Sequence, residues 1–124
     1  MAAKLTVLIV EDDQTLAQMY GTKFEAEGYL VLHAGDGSEG LEQAKQEKPD
    51  IILLDVMMPK LDGFGTLAML KADKAMSKIP VIMLTNLAQE EDIKKGKELG
   101  AVDYFVKANQ TPGEIVNKVK KLIG

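Results

Sequence analysis

Five short apolar runs recur along this chain, and each is followed by a segment with helical spacing. The runs are "LTVLIV" (5–10), "YLVLHA" (29–34), "DIILLD" (50–55), "PVIMLT" (80–85) and "DYFVK" (103–107). They are largely aliphatic or β-branched, which predicts strands. Runs this continuous suit strands buried on both faces. Between them, 14–27 carries Leu16, Ala17, Tyr20 and Phe24 at helical spacing and stops at Gly28. Residues 36–48 predict a helix with Asp36 as N-cap and Leu41 and Ala44 inward, ended by Pro49. Helices are also predicted over 63–72, with Phe64, Leu67 and Leu70, and over 90–99, closed by Gly100. The last helix has the fullest signature. Thr111 is its N-cap, Pro112 its first residue and Glu114 its capping-box partner, with an apolar stripe of Ile115, Val116, Val119, Leu122 and Ile123.

Strand–helix alternation with apolar strands implies an α/β fold, a doubly wound parallel sheet covered on both faces. Its crossovers are expected to be right-handed. The 124 residues suit one domain, 1–124, without linker, repeat or low-complexity stretch. An apolar fraction of 46% supports a sizeable core. A net charge of -4 argues against binding nucleic acid by bulk electrostatics. The absence of cysteine excludes disulfides, thiolate metal sites and cysteine nucleophiles. No apolar run is long enough to cross a bilayer, and "MAAKLTVLIV" lacks the layout of a signal peptide. The expectation is a soluble cytoplasmic domain with no membrane insertion.

In folds of this class ligands bind at the carboxyl ends of the strands. Strand one ends in Glu11, Asp12 and Asp13, strand three in Asp55, strand four in Thr85 and strand five in Lys107. Each feature alone has a plain structural explanation: Asp12 and Asp13 could cap the first helix, and Asp55 could be a turn acid. Together they bring carboxylates, a hydroxyl and an ammonium to one edge. The run "IILLDVMMP" (51–59) sharpens the point, because a buried lone carboxylate is costly unless paired or metal-bound.

The segments "VEDD" (10–13), "LLDVMMPKLDG" (53–63), "MLT" (83–85) and "YFVK" (104–107) resemble the receiver domain of two-component response regulators, of the single-domain chemotaxis-regulator type. The resemblance spans essentially the whole chain. It implies a five-stranded sheet of order 2-1-3-4-5 and a role in phosphorelay signalling. Asp55 would be the phosphoryl acceptor. Mg²⁺ would be held by Asp13, Asp55 and the backbone carbonyl of Met57, with Asp12 binding through water. Lys107 and Thr85 would contact the phosphoryl oxygens. Thr85 and Tyr104 would form the switch, with Tyr104 rotating inward on phosphorylation. Pro59 and Gly63 would shape the loop after the acceptor. A histidine kinase or phosphotransfer protein would donate the phosphoryl group. A downstream protein would bind the face made by the fourth helix, fifth strand and fifth helix, with Lys95, Tyr104 and Lys118 as contacts. The chain would be a monomer or a weak phosphorylation-dependent dimer. It would not be an enzyme beyond catalysing its own phosphorylation and slow dephosphorylation. With no output region after the last helix, it would act by binding a partner.

Two residues depart from the family pattern. Ala108 follows the lysine where proline is usual, so a trans bond is expected, since a non-proline cis bond costs about 3 kcal/mol. Asn86 stands where a small residue is usual. Met57 and Leu87 flank the acceptor and are apolar, which predicts a long-lived acyl phosphate. His33, the only histidine, is expected to lie away from the acidic edge, and the seven methionines to fill the core. Among other readings, a flavin carrier needs a phosphate loop that "EDDQT" does not supply, and "VEDDQT" does not fit an aspartyl hydrolase. The alternative is a degenerate receiver that binds partners without phosphorylation.

Overall fold

The computed structural model describes residues 4–124. The first three residues of the amino-terminal stretch read above for a signal peptide lie outside the described residues. The elements follow in strict alternation. They are β1 (Thr6–Val10), α1 (Gln14–Ala26), β2 (Leu30–Ala34), α2 (Gly37–Glu47), β3 (Ile51–Leu54) and α3 (Gly63–Ala72), then β4 (Val81–Thr85), α4 (Glu90–Glu98), β5 (Asp103–Val106) and α5 (Pro112–Ile123). All strand pairs are parallel and the sheet order is β2-β1-β3-β4-β5. The order reverses at β1, whose carboxyl end therefore opens beside that of β3.

Strand parity divides the core. Val7 and Ile9, Ile51 and Leu53, Ile82 and Leu84, and Phe105 face α1 and α5, where Phe24, Ile115 and Val119 meet them. Leu8 and Val10, Ile52 and Leu54, Val81 and Met83, and Tyr104 face the opposite layer, where Ala44, Leu67 and Leu70 pack. The central strands are thus buried on both sides, as their unbroken apolar runs require. Each fully buried Leu or Ile contributes about 1.5–3 kcal/mol relative to exposure.

The caps read from sequence are present: the Asp36 carboxylate accepts from Glu39 N–H at 2.8 Å, and the Thr111–Glu114 capping box is complete. Leu122 departs from the expected stripe. It is 48% exposed, whereas Ile115, Val116 and Val119 are buried in the core layer shared with α1. The methionines also divide: Met76 and Met83 are buried, whereas Met19, Met57 and Met69 are exposed. Lys107 belongs not to β5 but to a 3-10 turn, Lys107–Asn109, and the Lys107–Ala108 bond is trans. Among the described residues, no helix is long and apolar enough to cross a membrane.

Candidate functional site

The carboxyl ends of β1 and β3 each release an acid into the same crevice. Asp55 follows β3, and its N–H donates to the Val10 carbonyl at 3.1 Å. Glu11 follows β1 and is tied to β2 through its N–H and the Ala34 carbonyl, 3.0 Å. Both side chains are buried, Glu11 at 3% and Asp55 at 6% exposure. Asp12 is exposed at the mouth. Carboxylate oxygens of Glu11, Asp12 and Asp55 lie within 4.8 Å of one another.

Lys107 answers part of this charge. Its ammonium donates to Asp55 Oδ2 at 3.0 Å and also to Glu11 Oε1. The Met57 N–H donates to Asp55 Oδ1 at 3.2 Å, and the Asp13 N–H to Glu11 Oε2 at 3.2 Å. Burial pushes the Glu11 carboxyl up to about 7; Lys107 pulls against this and the Asp55 charge adds to it. Burial alone would lower the Lys107 ammonium, but its bonds to Glu11 and Asp55 more than offset that and hold it above its ordinary value. Three carboxylates against one ammonium leave excess negative charge. Closely set oxygen donors of this kind fit a small hard divalent cation such as Mg²⁺.

The loop after Asp55 is shaped by a close approach. A Cβ at Gly63 would stand 2.1 Å from the Asp55 carbonyl oxygen, so only glycine lets α3 begin there. Thr85 is fully buried at the end of β4, where its hydroxyl oxygen accepts from Leu87 N–H at 3.3 Å.

Three expectations are corrected. Asp13, expected as a direct cation ligand, instead caps α1, its carboxylate accepting from Leu16 N–H at 3.1 Å. Because β1 ends at Val10 and α1 starts at Gln14, residue 13 is the N-cap. Glu11 and Asp12 are the acids left at the crevice. The cue was present in the sequence, since an Asp directly before a helical pattern is an N-cap signature. Tyr104 is not waiting outside the fold. Its ring is 7% exposed and its hydroxyl donates to the Leu87 carbonyl at 2.6 Å. Gly96 of α4 provides the room, since even a Cβ there would stand 2.9 Å from the ring. Burial, with Asp92 and Asp55 adding, pushes the Tyr104 phenol up to about 12. His33, finally, is not remote from the acidic edge. Its Nε2 lies 2.7 Å from the Glu11 carbonyl oxygen.

A doubly wound sheet with buried acids, a paired lysine and a strand-end threonine at one edge defines a signalling receiver of the aspartyl-phosphate class. Comparison with known proteins agrees: the chain belongs to the response regulator receiver domain family, whose model matches residues 7–120. It is similar to the alkaline phosphatase synthesis transcriptional regulatory protein PhoP of Bacillus subtilis, 41% identical over 94% of this chain and 48% of that protein. The protein PilH of Pseudomonas aeruginosa is 43% identical over 82% of this chain and 84% of its own length. Among solved structures, the Vibrio cholerae chemotaxis protein CheY4 superposes with a TM-score of 0.89 at 30% identity, covering 96% of this chain and 98% of that one. The chain spans about half the length of PhoP and of several other curated relatives it matches. The family places the chain in phosphorelay signalling, and the phosphorylation-independent alternative is not favoured.

Proposed function

We propose that the domain, residues 1–124, takes a phosphoryl group onto Asp55 from a phosphohistidine on a histidine kinase or phosphotransfer protein. The observation that carries this is the Asp55 carboxylate, 6% exposed at the carboxyl end of β3 beside Glu11 and Asp12, and held by Lys107 at 3.0 Å and the Met57 N–H at 3.2 Å. One Asp55 oxygen attacks phosphorus, a P–O bond forms and the P–N bond breaks. The leaving imidazole, protonated on its other nitrogen, departs neutral. Lys107 and Thr85 serve the phosphoryl oxygens, the ammonium by charge and the hydroxyl by a hydrogen bond. A bound Mg²⁺ ion supplies the positive charge that lets a phosphoryl group approach this acidic edge. Asp12, Asp55 and the Met57 backbone carbonyl would hold the ion. Glu11, already engaged by Lys107 and the Asp13 N–H, is better suited to reach it through water. Slow dephosphorylation follows from Met57, 61% exposed, and Leu87, neither of whose side chains offers a hydrogen bond to an in-line water.

The downstream protein binds the α4–β5–α5 face, and the domain works in the cytoplasm as a monomer or weak phosphorylation-dependent dimer, without contacting nucleic acid. Lys95 and Lys118 border that face, their ammonium groups 4.7 Å from the Phe64 ring and 4.9 Å from the Phe105 ring. Incubation with acetyl phosphate and Mg²⁺ is expected to add one phosphoryl mass, and a chelator or Asp55→Asn to abolish it. Undiminished labelling of Asp55→Asn would overturn the assignment.

A further inference from the structure

The phosphoryl chemistry described above makes no use of His33, yet this side chain reaches the backbone of the acidic edge. A carbonyl only accepts, so the 2.7 Å contact to the Glu11 oxygen requires a proton on Nε2. The neutral ring is therefore the Nε2–H tautomer. The position explains the need. Val10 pairs with Ala34, the last residue of β2, so the residue opposite Glu11 lies past the end of that strand. The imidazole supplies a donor where the ladder has run out. His33 is itself fastened: the Gln43 amide of α2 donates to the His33 carbonyl at 2.6 Å and to Glu39 Oε1 at 3.2 Å.

We propose that His33 is a positioning residue for the acidic edge: by holding the Glu11 carbonyl, it fixes the peptide between Glu11 and Asp12 and so aims the Asp12 carboxylate at those of Glu11 and Asp55. Asp12 is the member of the trio that needs such help, being exposed while the other two are buried and bonded to Lys107. The inference rests on reading this edge as a divalent-cation site.

Two measurements test it. Long-range proton–nitrogen NMR of the metal-free protein, at a pH where the ring is neutral, is expected to show the Nε2–H tautomer; an Nδ1–H tautomer would overturn the bond and the proposal. Mn²⁺ binding, followed by electron paramagnetic resonance, is expected to weaken about threefold to tenfold in His33→Ala. His33→Gln, whose amide can donate to the same carbonyl, is expected to recover affinity to within about twofold. Rescue separates positioning from a general loss of stability. Equal affinity in wild type and His33→Ala, or a His33→Gln as weak as His33→Ala, would overturn the positioning role while leaving the cation site standing. A wild-type protein that binds no Mn²⁺ would overturn the cation site and the positioning role together. Labelling of Asp55 with acetyl phosphate reads the acceptor separately.

Discussion

The two helices that flank β5, α4 and α5, are held by different means. The start of α5 is closed by the Thr111–Glu114 capping box with Pro112 in the first turn, and it buries Ile115, Val116 and Val119 against the sheet. Gln89, at the start of α4, offers no side-chain cap, and among the helix's own residues only Gly96 is buried. Its apolar residue Ile93 and its C-cap Leu99 are only partly covered. Two further contacts hold α4: the seat of Gly96 on the Tyr104 ring, and Lys95 above Phe64. An element can respond to a ligand only if it has two arrangements of similar free energy. By that measure α5 is the more firmly held of the two, and α4 is the helix expected to respond if a phosphoryl group at Asp55 is coupled to this face, coupling between sites being usually about 1–3 kcal/mol.

The sharpest test of that contrast is a pair of truncations. Ile115→Ala in α5 is expected to cost about 2–5 kcal/mol in urea unfolding. Ile93→Ala in α4, removing a half-covered side chain, is expected to cost about 1 kcal/mol. Equal losses would break the contrast. Next in size is Gly96→Ala. Alanine favours a helix over glycine by about 1 kcal/mol, but the new methyl meets the Tyr104 ring at 2.9 Å, and overpacking costs about 1–3 kcal/mol. A net loss is expected, with faster amide exchange across α4 and unchanged exchange in α5. A stabilised Gly96→Ala would show that the seat on Tyr104 is slack.

A third test reads the contrast through the site. Beryllofluoride with Mg²⁺, an acyl-phosphate mimic, should shift amide resonances of Tyr104 and α4 and leave those of α5 after its first turn nearly in place. Thr85→Ala should keep the shifts near Asp55 and reduce those in α4. If α4 stays still while the metal-site amides move, Tyr104 and α4 do not carry the signal. The smallest effect concerns pH. The Thr111 backbone N–H, then its hydroxyl, hold the Glu114 carboxyl below its ordinary 4.5. A depressed folded value means that the cap's support is present above the unfolded value and lost as pH falls through the folded one. Protection of the first-turn amides of α5 should therefore weaken below about pH 4.5, an effect that Glu114→Gln should remove. The start of α4, lacking a side-chain cap, should show no matching step.

Much of this was legible without coordinates. The strands announced themselves as unbroken apolar runs, and Thr111, Pro112 and Glu114 spelled out their cap at fixed local spacing. Asp55 stood out because it ends such a run. The acids after β1 were harder. In "EDDQT" three adjacent carboxylates compete for two places in the crevice and one cap. The bounds read from spacing, 5–10 for the strand and 14–27 for the helix, already left residue 13 at the N-cap; that Glu11 and Asp12 are the acids beside Asp55 shows only once β1 and β3 are paired.

What the sequence determined by itself was thus the element order, the two-faced burial of the strands, the caps and the edge at which the chemistry collects, because these follow from spacing along the chain. Tertiary structure alone decided the pairings. Lys107 meets Glu11 across 96 positions, His33 reaches the Glu11 carbonyl across 22, and the Tyr104 hydroxyl finds the Leu87 carbonyl across 17. Tyr104 lies inward because Gly96 leaves space at its ring. Close packing sets such contacts: which side chain fits, and which donor finds an acceptor, depends on the shapes of elements brought together only when the sheet is built.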